Sequence, residues 1–154
     1  MRRLLSVIIA VALIGLGISV YSYLHNQYVV TGTFCNLNET VNCDLVNRSA
    51  YAKFFGIPVA GLGFIGYLFL LAGALVKWRA PADRFASWFL IATSAAGFLF
   101  SLYLTGVEAF VLRAWCVLCI TSQILITLSL LASLWLLKFP STEPPKASPD
   151  PATL

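Results

Sequence analysis

The chain has 154 residues, of which 60% are hydrophobic and only 10% charged, and its net charge is +4. Mean hydropathy is +0.88. Soluble domains carry about 45–50% apolar and about 25% charged residues, so the composition excludes a soluble globular domain and points to an integral membrane protein. An excess of Lys and Arg in such a chain is read first as topology, and no nucleic-acid partner is expected from it.

A spanning helix needs about 20 mostly apolar residues. Residues 4–24 form the first uncharged window of that kind. Met1-Arg2-Arg3 resembles the basic start of a signal peptide. The window, however, is longer than the roughly 7–15 residues of a signal core, and no small-residue cleavage site stands at Ser22, Tyr23, Leu24 and His25. It is read as an uncleaved span.

Residues 31–56 are the least apolar stretch between spans, and residues 36–40 have turn chemistry. From Asp44 onward, Leu45, Val46, Ala50, Tyr51, Phe54 and Phe55 recur at roughly helical spacing. This predicts a short amphipathic helix, capped by Asn42 or Asp44 and ended by Gly56, lying on the membrane surface and roofing the bundle. A plain surface helix without a catalytic task is the alternative.

Residues 58–76, 85–107 and 115–137 are three further uncharged windows, with a short turn at 77–84. Gly61, Gly63 and Gly66, and Ala92, Ser94, Ala95, Ala96 and Gly97, are read as helix-packing residues. Residues 140–154 hold five prolines and read as a disordered tail. The expected architecture is an all-α integral membrane protein, a four-transmembrane-helix bundle over residues 1–139. Its outer loop carries a short amphipathic helix.

Seven basic residues, Arg2, Arg3, Lys77, Arg79, Arg84, Lys138 and Lys146, fall on one side of such a bundle. Arg48, Lys53 and Arg113 fall on the other. The positive-inside rule then puts both termini and the tail in the cytoplasm. Residues 25–57 and the short turn at 108–114 face outward. All four cysteines (Cys35, Cys43, Cys116 and Cys119) are thereby gathered on the outer face, where disulfides persist.

Cys116-Val117-Leu118-Cys119 is a C-x-x-C at the start of the fourth span. A thiol there lies near unpaired backbone N–H groups and the positive end of the helix dipole, which favours thiolate and a reactive disulfide. A structural disulfide and a zinc site using both cysteine pairs are the alternatives. Cys35 and Cys43, seven residues apart, can bond to each other or meet a third thiol. A mobile pair beside a fixed pair is the layout of a disulfide relay. His25 is read as an interfacial residue. Glu108 is read as a solvated helix end, with proton handling as the alternative.

Three ordered pieces carry a resemblance: Cys35 and Cys43; Ser49-Ala50-Tyr51 followed by Phe55-Gly56-Ile57-Pro58-Val59; and Trp115-Cys116-Val117-Leu118-Cys119. Together, over residues 4–137, they resemble the bacterial branch of the vitamin K epoxide reductase family. The resemblance implies a four-helix bundle around a quinone (ubiquinone, menaquinone or vitamin K). Cys116 and Cys119 would be the active-site pair, with Cys119 nearer the quinone. Cys43 would exchange with Cys116, and Cys35 would receive electrons from the partner. Ser49 matches a loop serine near the quinone, and Phe55, Val59, Trp115 and Gln123 are the other candidate pocket residues.

Gln123 stands where the animal enzymes have a quinone-contacting tyrosine, and no asparagine stands near Val59 in the second span. Quinone reduction is therefore the primary expectation, with vitamin K quinone or epoxide reduction beside it. The implied protein is a disulfide-dependent quinone reductase in the bacterial inner (cytoplasmic) membrane that drives extracytoplasmic disulfide formation. Some relatives carry a fused thioredoxin-like domain; here a separate thioredoxin-like (DsbA-type) oxidase is expected. The disulfide bond formation protein B family fits less well, because its C-x-x-C precedes its spaced pair. A membrane scaffold with two structural disulfides is the rival from another class.

Overall fold

The computed structural model describes residues 1–27, 36, 38 and 40–138. Cys35 and residues 139–154, including the expected tail, lie outside the described residues. The long helices are α1 (Arg2–Asn26), α3 (Val59–Arg79), α4 (Arg84–Val107) and α5 (Val117–Lys138). All four are long and apolar enough to cross a membrane. Between α1 and α3 lie the short helix α2 (Cys43–Asn47), a 3₁₀ turn (Ala50–Ala52) and a minimal hairpin, β1 (Lys53–Phe54) with β2 (Ile57–Pro58). The expected four-helix membrane bundle is the fold observed.

The helices close a ring: α1 packs on α3 and α5, and α4 packs on the same two. Because each is apolar all round, hydrophobicity alone does not choose the inward face. Close approach does. On α1 the buried positions Leu5, Ile8, Ala12, Gly15 and Ser19 recur every three or four residues. Leu5, Ile8 and Ala12 share one core with Tyr67, Leu70 and Ala74 of α3, Leu90 of α4, and Ile126, Ala132 and Leu136 of α5. Large residues such as Leu128, Leu131 and Trp135 stay exposed, as a lipid-facing surface requires.

The packing glycines differ in part from those expected. A Cβ on Gly15 would stand 2.4 Å from the ring of Tyr67, and one on Gly73 would stand 2.8 Å from Phe89. Gly63 and Gly97 face Ser19 and Ile126 closely, whereas Gly61 and Gly66 meet nothing within 4 Å. Ser94 is buried, while Ala92 and Ala96 are exposed.

The loop also differs from expectation. The single helix predicted from Asp44 to Gly56 is broken. Asn42 does cap α2, its Oδ1 accepting from the Leu45 N–H at 3.0 Å. But α2 stops after five residues, and Ser49 turns to an extended backbone (φ −66°, ψ 161°) with its Oγ donating to the Val46 carbonyl at 2.8 Å. A local hydroxyl-to-backbone bond of this kind competes with helix continuation. Gly56 is not a helix stop. With Phe55 (φ 50°) it makes the turn of the hairpin, at φ 83°, and two successive positive φ values are what a two-residue type I′ turn needs.

At the other end of the bundle, Asp83 caps α4 by accepting from the Phe85 N–H at 2.8 Å, and Lys77 donates to the Asp83 carbonyl at 2.8 Å. Helix α4 does not end in a solvated turn as expected. It continues as one π-helical turn, Glu108–Leu112, that ends at Arg113 in the left-handed region.

Gly15→Ala should destabilise the bundle by about 1–3 kcal/mol, the usual cost of overpacking, because Tyr67 cannot keep its place. Gly61→Ala should change stability little. Thermal unfolding of both variants in detergent checks this.

Candidate active site

The loop is registered against the start of α5 by backbone bonds. Val41 and Trp115 form a parallel bridge. The Trp115 N–H donates to the Thr40 carbonyl at 2.8 Å, and the Asn42 N–H donates to the Trp115 carbonyl at 3.1 Å. Asn38 shapes the approach, its Oδ1 accepting from the Thr40 and Val41 N–H groups at 3.1 and 2.7 Å. Asp44 anchors the next residues: it receives the Asn36 side-chain amide at 2.6 Å, lies 2.7 Å from His25 Nε2, and lies 3.6 Å from Arg48. His25, read as an interfacial residue, sits in the last turn of α1. It is 1% exposed and ties the end of α1 to the loop.

This docking sets Cys43 beside Cys116. Both are buried, in a small cluster with Val46 and Ala114, packed by Leu112, Leu118 and Cys119. Cys43 is disulfide-bonded, whereas Cys116 and Cys119 are free thiols. The Cys116 Sγ donates to the Cys43 Sγ at 3.3 Å. Thiol–disulfide exchange proceeds by thiolate attack on a disulfide sulfur, and reacting atoms in a near-attack arrangement stand about 3–3.5 Å apart. The pair is at that distance.

Cys116 immediately precedes α5 and accepts the first turn of that helix through its carbonyl, which takes the Ile120 N–H at 3.0 Å. Its sulfur occupies the place of an N-cap side chain. The side chain of Cys119 hydrogen-bonds to it and draws the Cys116 thiol below its ordinary pKa, helped by the Cys119 and Leu118 backbone N–H groups. Burial and the Glu108 carboxyl oppose the shift. The geometric reason is the one that makes Ser or Asp good caps: unpaired N–H groups stabilise a negative acceptor.

Cys119, in the first turn of α5, lines a cavity of about 180 Å³ between the four long helices. Ser49, Val59, Tyr67, Glu108 and Ser122 line it as well. The Tyr67 hydroxyl and the Ser122 hydroxyl are 2.7 Å apart. Of the predicted pocket residues, Ser49 and Val59 are at the cavity. Phe55, Trp115 and Gln123 are not among its lining residues. Phe55 is 91% exposed at the hairpin tip, and Trp115 is 39% exposed. The Gln123 side chain accepts from the hydroxyl of Ser101, and it is Ser101 that reaches the cavity. Phe54, not Phe55, stacks edge-on against the cavity residue Phe100, with ring centres 5.6 Å apart.

The residues 6–134 match the family model described as "Vitamin K epoxide reductase family". The chain belongs to the vitamin K epoxide reductase family. At family level it is a membrane oxidoreductase acting on thiols and a quinone, and the four apolar helices agree with that placement. A C-x-x-C whose first thiol is buried against a disulfide and whose second faces a mainly apolar cavity has the chemical parts this family's work demands.

Tyr67 and Ser122 were not legible as site residues. Tyr67 and Ser122 sit in apolar windows whose periodicity says nothing of polar partners across the bundle. Glu108 stood out as the only acid near the outer end of the third span, and proton handling was the lesser of its two readings.

Alkylation of Cys116 should reach half its maximal rate at a pH below that of an ordinary thiol, since thiolate is the reactive form. Cys119→Ala removes the strongest stabilising contact, so the midpoint should rise. The rate of iodoacetamide labelling against pH, read by mass spectrometry in a chain carrying Cys35→Ser and Cys43→Ser, checks both.

Proposed function

We propose that the protein is a disulfide-dependent quinone reductase that takes electrons from a thioredoxin-like oxidase and passes them to a quinone, supporting disulfide formation outside the cytoplasm. The observation that carries this reading is the 3.3 Å contact between the disulfide-bonded sulfur of Cys43 and the free thiol of Cys116, with Cys119 next along α5 at the cavity. The charge asymmetry of the termini and turns supports a bacterial inner-membrane placement with the cysteine end outside and both termini in the cytoplasm.

In this account a reduced thioredoxin-like partner opens a Cys35–Cys43 disulfide by exchange. The Cys43 thiolate then attacks Cys116 within a Cys116–Cys119 disulfide. A Cys43–Cys116 bond forms and the Cys119 thiolate leaves. Cys35 attacks Cys43, which restores the loop disulfide and leaves Cys116 and Cys119 as thiols. A disulfide at Cys43 beside two free thiols is the stage after this transfer and before the quinone collects the electrons. Ser49, Val59, Tyr67 and Ser122 would shape the quinone pocket, and the lowered pKa of Cys116 favours its reactive thiolate.

Modest potential steps drive such a relay, because about 30 mV is worth about 1.4 kcal/mol for a two-electron couple. Ubiquinone, menaquinone and vitamin K share the same two-electron ring chemistry. Epoxide turnover would ask the same two thiols for the same two electrons.

Cys35→Ala should trap a Cys43–Cys116 mixed disulfide, identified by peptide mapping without reduction. Cys116→Ala and Cys119→Ala should each reduce quinone turnover by a reduced thioredoxin-like partner to background. Full quinone turnover in every single-cysteine variant would falsify the relay.

A further inference from the structure

Glu108 is 3% exposed, although it stands at the end of a membrane-spanning helix where a solvated carboxylate was expected. Its Oε2 accepts from the Cys116 backbone N–H at 3.1 Å. Its Oε1 is buried and has no hydrogen-bond partner of sound geometry among the described residues. No Lys, Arg or His lies within ion-pair distance of it among those residues. The titratable groups that touch it are Cys116 and Cys119, and the side chain of Cys119 interacts with its carboxyl group. It lines the same cavity as Cys119.

A buried carboxyl oxygen that accepts no well-formed hydrogen bond is costly to keep. Capping the start of α5 does not explain it, because one oxygen already does that. The π-helical turn beginning at Glu108 is an irregularity of a kind often found at functional sites.

We infer that Glu108 is a catalytic base and acid, which takes the proton of Cys119 and delivers it to the quinone being reduced. The inference rests on the quinone-reductase reading. Oxidation of the pair starts with Cys116 as thiolate and Cys119 as thiol. Two S-centred electron lone pairs become one S–S bond and two electrons on the quinone. The S–H bond of Cys119 breaks, and its proton passes to Glu108 Oε1 and then to one quinone oxygen. The second quinone oxygen takes a proton from water, matching the one Cys116 released when it ionised. Glu108 ends as it began, as carboxylate, and the products are a Cys116–Cys119 disulfide and a hydroquinone.

Glu108→Gln tests this, because an amide oxygen still accepts from the Cys116 N–H but cannot carry the proton. Two half-reactions are measured on the full chain in detergent. One is exchange between reduced Cys43 and the Cys116–Cys119 disulfide, followed by acid-quenched mass spectrometry. The other is single-turnover oxidation of the reduced Cys116–Cys119 pair by a soluble short-chain ubiquinone. The expected result is a loss of about 10²–10⁴-fold in quinone reduction, the usual contribution of general acid–base catalysis. Exchange should stay within a few-fold of the unsubstituted protein, and Glu108→Asp should recover part of the lost rate. Quinone reduction within threefold of the unsubstituted protein overturns the inference. So does an equal loss in both half-reactions, since Glu108 would then only hold the α5 start in place. If the unsubstituted protein itself fails to reduce quinone, the underlying functional reading fails instead.

Discussion

The site depends on two backbone hydrogen bonds. Trp115 gives its N–H to Thr40 and its carbonyl to Asn42, which zips residues 40–42 of the loop alongside the residues leading into α5. Everything reactive follows from that register. Asn42 is also the cap of α2, so the strand that docks is continuous with the helix that carries Cys43 on its first residue. Trp115 is the residue before Cys116. A slip of one residue on either side would carry one sulfur away from the other. Because the bonds are main-chain to main-chain, they set position without asking for particular side chains. The side-chain ties of Asp44 to His25, Asn36 and Arg48 then hold the loop to the end of α1.

The second constraint is the start of α5. A helix beginning inside a protein must satisfy its first N–H groups, and here the sulfur of Cys116 takes two of them while Glu108 takes the N–H of Cys116 itself. The need to cap a buried helix and the need to stabilise a thiolate are met by the same atoms. This accounts for the two different environments in one C-x-x-C. Cys116 caps the helix and faces the loop, whereas Cys119 is already inside the first turn and faces the cavity between the spans.

Much of the fold was legible because its signal is coarse. Four uncharged apolar windows bounded by basic residues leave little other than four spanning helices. The cysteines of the candidate site stood out because C-x-x-C at a helix start has a direct physical meaning, and because the ordered motifs carry a family. What failed was local. The alternation from Asp44 to Phe55 looked helical, but Ser49 bonds back to Val46 and ends the helix, and the Phe55-Gly56 pair supplies a hairpin turn instead. Phe55 therefore stands at the tip, and it is Phe54 that touches Phe100.

Within the spans, composition does not separate lipid-facing from inward residues. Gly15 and Tyr67 were thus passed over, although they fit each other closely. Glu108 was misjudged because a lone acid at a helix end is ordinarily solvated, and only the π-helical turn, invisible in the pattern, brings it back over Cys116.

The loop is docked and presents Cys43 to Cys116, instead of sampling that position from a flexible tether. The most direct measurement is the effective concentration of Cys43 relative to Cys116 in a chain carrying Cys35→Ser and Cys119→Ser, obtained from the equilibrium of the Cys43–Cys116 disulfide against glutathione. A short flexible tether gives effective concentrations on the order of millimolar. The docked loop predicts a value far above that range. A millimolar value would mean that the backbone bridge at Trp115 does not hold the two sulfurs together.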